Sequence, residues 1–170
     1  MTIRRLATSA SAPASNHSVA SSVHTIERSQ VVPRPLDEVF AFFADPTNLE
    51  VITPPFLRFR IATSAPVAMH RGAQIDYRLS LHGAPVRWRT LITRWEPGQR
   101  FVDVQLSGPF ALWEHTHTFT EGPDGTTIRD RVDYRVPFGP IGALAHRLLV
   151  ARDLRKVFDF RRDTVARLLG

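Results

Sequence analysis

Apolar and polar residues alternate through much of the chain, and this two-residue period is typical of half-buried β-strands. Gly and Pro residues separate the alternating segments, as expected for strands joined by short turns. Seven strands are predicted, at residues 22–32, 56–65, 73–83, 85–96, 100–108, 111–121 and 126–136. The last six follow one another without an intervening helix, which predicts an antiparallel meander.

Two short helices are predicted between the first and second strands. Residues 34–45 repeat apolar positions at helical spacing, namely Leu36, Val39, Phe40 and Phe43. Pro35 suits the first helical position, because the N–H that it lacks would have no partner there. Asp45 can cap a second helix over residues 46–52, which Pro54 ends.

A long helix is predicted from about residue 137 to residue 170. Its buried stripe is predicted to consist of Ile141, Leu144, Leu148, Ala151, Leu154, Phe158, Val165 and Leu168. Arg161 or Arg162 falls within this stripe, where an apolar side chain is expected. Such an arginine either buries its stem and keeps its guanidinium in water, or reaches backbone carbonyls or an acid near the first two helices, for which Asp45 is a candidate.

Together the elements predict an α+β fold, in which a curved antiparallel sheet of about seven strands wraps around the long C-terminal helix. At roughly 1.5 Å per residue the helix would be long enough to cross the whole sheet. A curved sheet cannot pack tightly against a helix along its entire concave side. The architecture therefore predicts a pocket between sheet and helix, before any motif is considered.

Composition adds limits to this picture. Residues 1–22 are rich in Ser and Ala and lack acidic residues, which predicts a disordered tail before one domain at residues 23–170. The basic, Ser-rich tail has some likeness to an organellar transit peptide, but no apolar run follows Arg5, so we expect no secretory signal and a cytoplasmic location. Without any cysteine, disulfides and thiolate metal sites are excluded. No apolar run approaches the length of a membrane span.

The positive charge does not predict a nucleic-acid partner. The formal net charge is +6, and all but one of the 22 basic residues are arginines. A basic balance can indicate nucleic acid or a membrane surface. These arginines, however, are spread along the chain and mostly alternate with apolar residues, as on a solvated sheet face.

The segment WEHTHTF, residues 113–119, places His115 and His117 on the apolar face of a predicted strand. Matching the apolar faces across the next turn sets the register, which is Phe119 with Ile128, His117 with Asp130, His115 with Val132 and Trp113 with Tyr134. Asp103 and Gln105 share a face of the neighbouring strand. Several polar groups therefore lie among apolar residues, where they need partners.

Four interpretations of this cluster remain open. The two histidines with Asp130 could bind a metal, although no further ligand at tight spacing completes the set. A histidine–aspartate pair could act as a general acid and base, although no nucleophile motif or phosphate-binding loop accompanies it. The residues could also line a ligand pocket, or simply satisfy one another in the core.

Three segments of the chain are typical of one known superfamily, namely PLDEVFAFFADPTNLEVITPPF, PVRWRTLITRWEPGQRFVDVQLSGPFALWEHTHTF and DRVDYRVPFGPIGALAHRLLVARDLRKVFDFRRDTV. Residues 23–169 resemble the START/Bet v 1-like helix-grip superfamily of polyketide cyclase/dehydrase and lipid-transport proteins, in particular its small stand-alone bacterial members. The resemblance implies a cavity between the concave sheet face and the long helix. It also implies cavity-facing, ligand-binding positions, which are Trp88, Asp103, Gln105, Trp113, His115, His117, Asp130 and Tyr134.

The resemblance implies a protein that binds a small hydrophobic or amphipathic molecule, lipid- or polyketide-like, without a cofactor or a metal. The alternative is a cyclase or dehydratase with His117 and Asp130 as general acid and base, so the question of enzymatic activity stays open. A third class is an interaction or membrane-surface module using the arginine-rich convex face, which leaves room for peripheral membrane contact. The Rieske hydroxylase relatives need Cys and His iron ligands, which this chain lacks. The oligomeric state is not predicted.

Overall fold

The computed structural model describes residues 22–64 and 66–170, so nearly all of the predicted N-terminal tail lies outside the described residues. The strands are β1 (His24–Val32), β2 (Arg60–Ile61), β3 (Gln74–Leu81), β4 (Ala84–Glu96), β5 (Arg100–Ser107), β6 (Leu112–Gly122) and β7 (Gly125–Arg135). The helices are α1 (Leu36–Ala44), α2 (Asn48–Val51), α3 (Gly139–Ala145) and α4 (Ala151–Leu169). Within this part of the chain, none of the helices has the length and apolar character that a membrane span requires.

The seven strands form one antiparallel sheet in the order β1-β7-β6-β5-β4-β3-β2, so that the first strand lies beside the last. This confirms the predicted α+β fold, with short helices after β1 and a long helical segment at the C-terminal end. The pairing of β4 with β5 shifts register between Arg89 and Thr90 and again between Ile92 and Arg94. Bulges of this kind bend a strand and increase its twist, which helps to give the sheet a concave side.

The hairpin of β6 and β7 has the predicted register, with His117 opposite Asp130. A two-residue turn joins the strands, and Gly125 follows it with a φ of +114°. A Cβ at Gly125 would collide with the carbonyl oxygen of Val32 in β1. The turn sequence therefore fixes both the hairpin register and the close approach of β1.

The prediction of a strand at residues 56–65 is wrong for most of that segment. Its first part joins a 3-10 turn at Pro55–Leu57, and only Arg60–Ile61 pairs with β3. Pro55 has a fixed φ and no N–H, which favours a turn over a ladder. The N–H of Ile61 donates instead to Glu50 Oε1 at 2.9 Å, which ties the segment to α2.

The predicted C-terminal helix is interrupted by a π-helical turn at His146–Val150, between α3 and α4. Leu154, Phe158 and Val165 are buried as predicted. Four other members of the predicted stripe are largely exposed, namely Ile141 at 77%, Leu144 at 56%, Leu148 at 63% and Leu168 at 47%. A π-helical turn holds more residues than an α-helical one, so it shifts the phase of α3 relative to α4.

In α3 the buried position is Gly142, where a Cβ would collide with the carbonyl oxygen of Pro137. The absence of a side chain there lets the helix approach the end of β7. In the last turn of α4, Leu169 packs against the core in place of Leu168.

Candidate ligand-binding cavity

A cavity of about 610 Å³ lies between the concave face of the sheet and the helices. Its walls come from β3 to β6, from the segment around α1 and α2, and from α3, the π-helical turn and α4. Aliphatic side chains cover much of the wall, for example Ile75, Leu79, Ile92, Leu149 and Leu154. The volume falls in the range of pockets that bind small organic molecules.

One part of the wall is aromatic. The rings of Trp88 and Trp113 meet edge to face with their centroids 5.1 Å apart, and Phe110 lies 4.9 Å from Trp113. Gln105 holds Phe110 in place, because its Nε2 donates to the Phe110 carbonyl oxygen at 2.7 Å and its Oε1 accepts from the Phe110 N–H at 3.2 Å. Gln105 therefore positions an aromatic side chain of the wall.

Another part of the wall carries a charged cluster of Asp103, His115, His117 and Asp130. Strand pairing explains it, because Asp103 lies opposite His115 and Asp130 lies opposite His117. Asp103 Oδ2 is 3.6 Å from His115 Nδ1 and 3.5 Å from His117 Nε2. Asp130 Oδ1 is 3.3 Å from His115 Nε2 and 2.7 Å from His117 Nδ1. The two imidazoles, with centroids 3.8 Å apart, thus lie between two carboxylates.

The pKa values of the two histidines in this cluster shift in opposite directions. Burial lowers the pKa of His115, and the neighbouring His117 lowers it further. Burial also opposes the charged form of His117, but the Asp130 and Asp103 carboxylates outweigh it and hold the pKa of His117 above its ordinary value. His117 Nδ1 contacts Asp130 without hydrogen-bond geometry, so this contact is ionic.

Asp130 is the anion that pairs with the His117 side chain. Burial raises its pKa, but the His117 charge and the hydrogen bond from His115 outweigh burial and hold the pKa of Asp130 well below its ordinary value. Between the two carboxylates, the charged form is therefore favoured at His117 and disfavoured at His115.

Three groups of the cluster could also hold a metal ion. Each of these groups offers one donor atom, and the three donor atoms lie within 4.8 Å of one another. The residues are Asp103, His115 and His117. The sequence predicted Asp130 as the third metal-ligand candidate, whereas the structure brings Asp103 into that position. Metal binding would require His117 to lose its proton, because a metal ligand must offer a lone pair. The ion pairs and a metal therefore compete for the same nitrogen atoms.

Five of the eight predicted site residues lie on the cavity wall, namely Trp88, Asp103, Trp113, His115 and His117. The structure does not bring the other three to the wall. Gln105 turns to the backbone of Phe110, Asp130 lies behind the histidines on β7, and the Tyr134 hydroxyl is 2.8 Å from His146 Nε2. Some inward-facing strand residues are thus covered by a neighbouring side chain. Alternation alone does not distinguish these residues from those that line the cavity.

Other wall residues were not singled out in the sequence. Tyr77 and Phe110 lie on the wall, and the alternating face of Ile75 and Tyr77 was the only signal for the former. Arg161 also lines the cavity. The predicted partner Asp45 accepts instead from the N–H and the hydroxyl of Thr47, so an ion pair between Asp45 and Arg161 is not formed.

A seven-stranded sheet closed over a cavity by a C-terminal helix defines a helix-grip protein. The sequence matches the family model described as polyketide cyclase/dehydrase and lipid transport over residues 23–170, and the chain belongs to this family. No protein with a curated description matches the sequence.

Solved structures with the same fold include protein CV1439 from Chromobacterium violaceum, which is 15% identical, with 86% of this chain and 97% of that one covered and a TM-score of 0.66. A START superfamily protein from Mycobacterium smegmatis is 13% identical, with 86% and 97% covered and a TM-score of 0.61. The di-domain ARO/CYC StfQ from the steffimycin biosynthetic pathway is 14% identical, with 86% and 50% covered and a TM-score of 0.64. At these identities the likeness is one of fold.

Proposed function

We propose that the protein binds a hydrophobic or amphipathic small molecule, lipid- or polyketide-like, in the cavity between the sheet and the C-terminal helical segment. The observation that carries this proposal is the cavity of about 610 Å³, with a mostly apolar wall and a few charged groups. Ligand pockets commonly combine a large apolar surface with a small number of polar groups that fix orientation. The description of the family, which includes lipid transport, supports the same function.

Two groups of wall residues would contact different parts of a ligand. The aromatic side chains of Trp88, Phe110 and Trp113 supply apolar contact area for the body of a ligand. Asp103, with the two histidines beside it, supplies hydrogen-bonding groups on the wall that orient a polar part of the ligand. Because these polar groups satisfy one another, the fold does not depend on the ligand.

A cavity-filling substitution tests the proposal. N-phenyl-1-naphthylamine, a neutral apolar fluorophore, should bind the wild type saturably with one-to-one stoichiometry. Ala145 lies on the wall, so Ala145→Phe should place a ring in the cavity and weaken binding by about tenfold or more, equivalent to ~1.4 kcal/mol. Ala143, exposed on the same helix, provides the matched control, and Ala143→Phe should bind like the wild type. Equal binding by all three proteins would contradict the proposal.

A second candidate function is a cyclase or dehydratase acting in the same cavity, which the position of Asp103, His115 and His117 on the wall favours. In such a reaction a base removes the proton from a carbon beside a carbonyl, that carbon attacks a second carbonyl, the new alkoxide is protonated, and water is then lost. A neutral His115 or the Asp103 carboxylate could accept the first proton. Asp130, behind the wall, would act only by orienting His117.

Turnover of a linear poly-β-ketone thioester distinguishes the two candidates. An enzyme would yield an aromatic product, seen as a new absorbance band. Loss of that product in Asp103→Asn or in His115→Phe, in a variant that still binds the apolar fluorophore, would identify the base. Binding of the thioester without any product would leave ligand binding as the function.

A further inference from the structure

Arg161 is a cation on the cavity wall that lacks an anionic partner. It lies on α4 and borders the cavity, and its guanidinium carbon is 5.3 Å from the centroid of the Phe158 ring. Its Nε is buried and has no hydrogen-bond partner among the described residues. Arg161 takes part in none of the ion pairs formed by residues 22–64 and 66–170.

The carboxylates that line the cavity are engaged elsewhere. Asp45 accepts from the Thr47 hydroxyl at 2.7 Å. Asp153 lies 2.7 Å from His82 Nε2. Asp103 belongs to the histidine cluster. The positive charge of Arg161 is therefore not balanced by an acidic side chain of the wall.

An arginine on an apolar wall stays charged, because its guanidinium does not lose a proton at any ordinary pH. A half-buried charge without a partner is unfavourable, and the contact with one aromatic face compensates it only in part. The planar guanidinium offers parallel N–H donors that match the two oxygens of a carboxylate. An anionic group on the ligand would supply the negative charge that the wall does not place beside Arg161.

We propose that the ligand of this cavity carries a carboxylate, which binds to the guanidinium of Arg161 while the apolar body fills the rest of the cavity. This inference rests on the proposed function. Lys156 also lines the cavity without an ion pair to any described residue, but it is exposed to water, so Arg161 is the half-buried cation that a monoanion would balance. A phosphate monoester, with close to two negative charges at neutral pH, would leave excess charge beside it. The ligand class is thus an amphipathic organic acid, such as a fatty acid or a polyketide acid.

Tyr77 is a second polar group on the same wall. Burial raises the pKa of Tyr77, as does the Asp103 charge, while the Arg161 charge acts in the opposite direction. The phenol therefore keeps its proton. Its hydroxyl interacts with Thr90, which lines the same wall.

A pair of fluorescent probes tests the inference, namely dansyl-labelled undecanoic acid and its methyl ester, titrated at neutral pH. The wild type should bind the acid about tenfold or more tightly than the ester, as expected for hydrogen bonds to a charged group. Arg161→Gln should bind both probes with the affinity of the ester, and Arg161→Lys should retain part of the preference. The matched control is Arg162→Gln, which alters the adjacent exposed arginine that pairs with Asp163, and should behave as the wild type.

The outcomes separate this inference from the function on which it rests. Binding of the ester by Arg161→Gln shows that the variant is folded with its cavity intact. Equal affinity of the wild type for acid and ester, or a preference that survives Arg161→Gln, overturns the carboxylate inference and leaves the apolar cavity in place. Failure of the wild type to bind either probe overturns both. Tighter competition by dodecyl phosphate than by dodecanoate overturns the choice of a carboxylate.

Discussion

His115 and His117 are two residues apart on the same strand face, yet their pKa values shift in opposite directions. Each lies between Asp103 and Asp130, but His117 has the shorter contact with Asp130, at 2.7 Å against 3.3 Å for His115. The positive charge on His117 in turn opposes protonation of His115. The two carboxylates therefore favour the charged form of His117 over that of His115, although the ring centroids are only 3.8 Å apart.

The dependence of stability on pH tests this assignment. A histidine whose pKa is raised on folding stabilises the fold below its unfolded pKa of about 6.5, and this stabilisation is lost as pH rises through the folded pKa. Asp130→Asn removes the partner of the His117 cation. The loss in the free energy of unfolding caused by Asp130→Asn should therefore be larger at pH 6 than at pH 9, when both proteins are unfolded with urea.

Asp133 provides the matched control on the same strand, because its partner Arg131 does not titrate in this range. Asp133→Asn should lower the free energy of unfolding by the same small amount at both values of pH. A loss for Asp130→Asn that does not change with pH would show that His117 is not protonated in the folded protein.

Some of these residues could be predicted from the sequence and others could not. Alternation placed His115 and His117 on the inner face, and the glycines of the turn set Asp130 opposite His117. The sequence could not show that Asp130 lies behind the imidazoles while Asp103 reaches the wall, because that depends on the curvature of the sheet. The sequence indicated that Arg161 or Arg162 interrupts an apolar stripe, but which of the two lines the cavity depends on how α4 crosses the sheet.

At the scale of elements, the π-helical turn decides which side chains of the C-terminal segment face the core. Periodicity predicted one continuous stripe, and this holds through most of α4, where Leu154, Phe158 and Val165 are buried, but not at Leu168 near its end. It fails in α3 and in the π-helical turn itself, where Ile141 and Leu148 are exposed instead. A single extra residue in one turn rotates all residues on one side of it, and apolar spacing alone does not reveal this change.

Truncation of one buried and one exposed residue tests this phase. Phe158 is 3% exposed, and Phe158→Ala should lower the free energy of unfolding by ~3–5 kcal/mol. Leu148, a stripe residue in the straight-helix prediction, is 63% exposed, and Leu148→Ala should change the free energy by no more than about 0.5 kcal/mol. Chemical denaturation of both variants gives the comparison. Similar losses for the two substitutions would mean that the helix is continuous and Leu148 is buried.

At the scale of the whole molecule, the cavity follows from the way in which the elements meet. The sheet bends where β4 and β5 shift register, and α1 fills only one end of its concave side with Val39, Phe40 and Phe43. The C-terminal segment crosses the remaining space without filling it. The general prediction of a pocket required only a curved sheet and a long helix, whereas its charged and aromatic parts required the register of individual strands.

The measurement that most directly tests a ligand cavity is the detection of intermolecular nuclear Overhauser effects between bound N-phenyl-1-naphthylamine and the methyl groups of the protein. Binding in the cavity predicts contacts with the methyl groups of Ile75, Ile92 and Leu154, all of which line it. The exposed Ile141 and Leu148 should show none. Contacts confined to those two exposed side chains, or no saturable binding, would contradict a ligand site between sheet and helix.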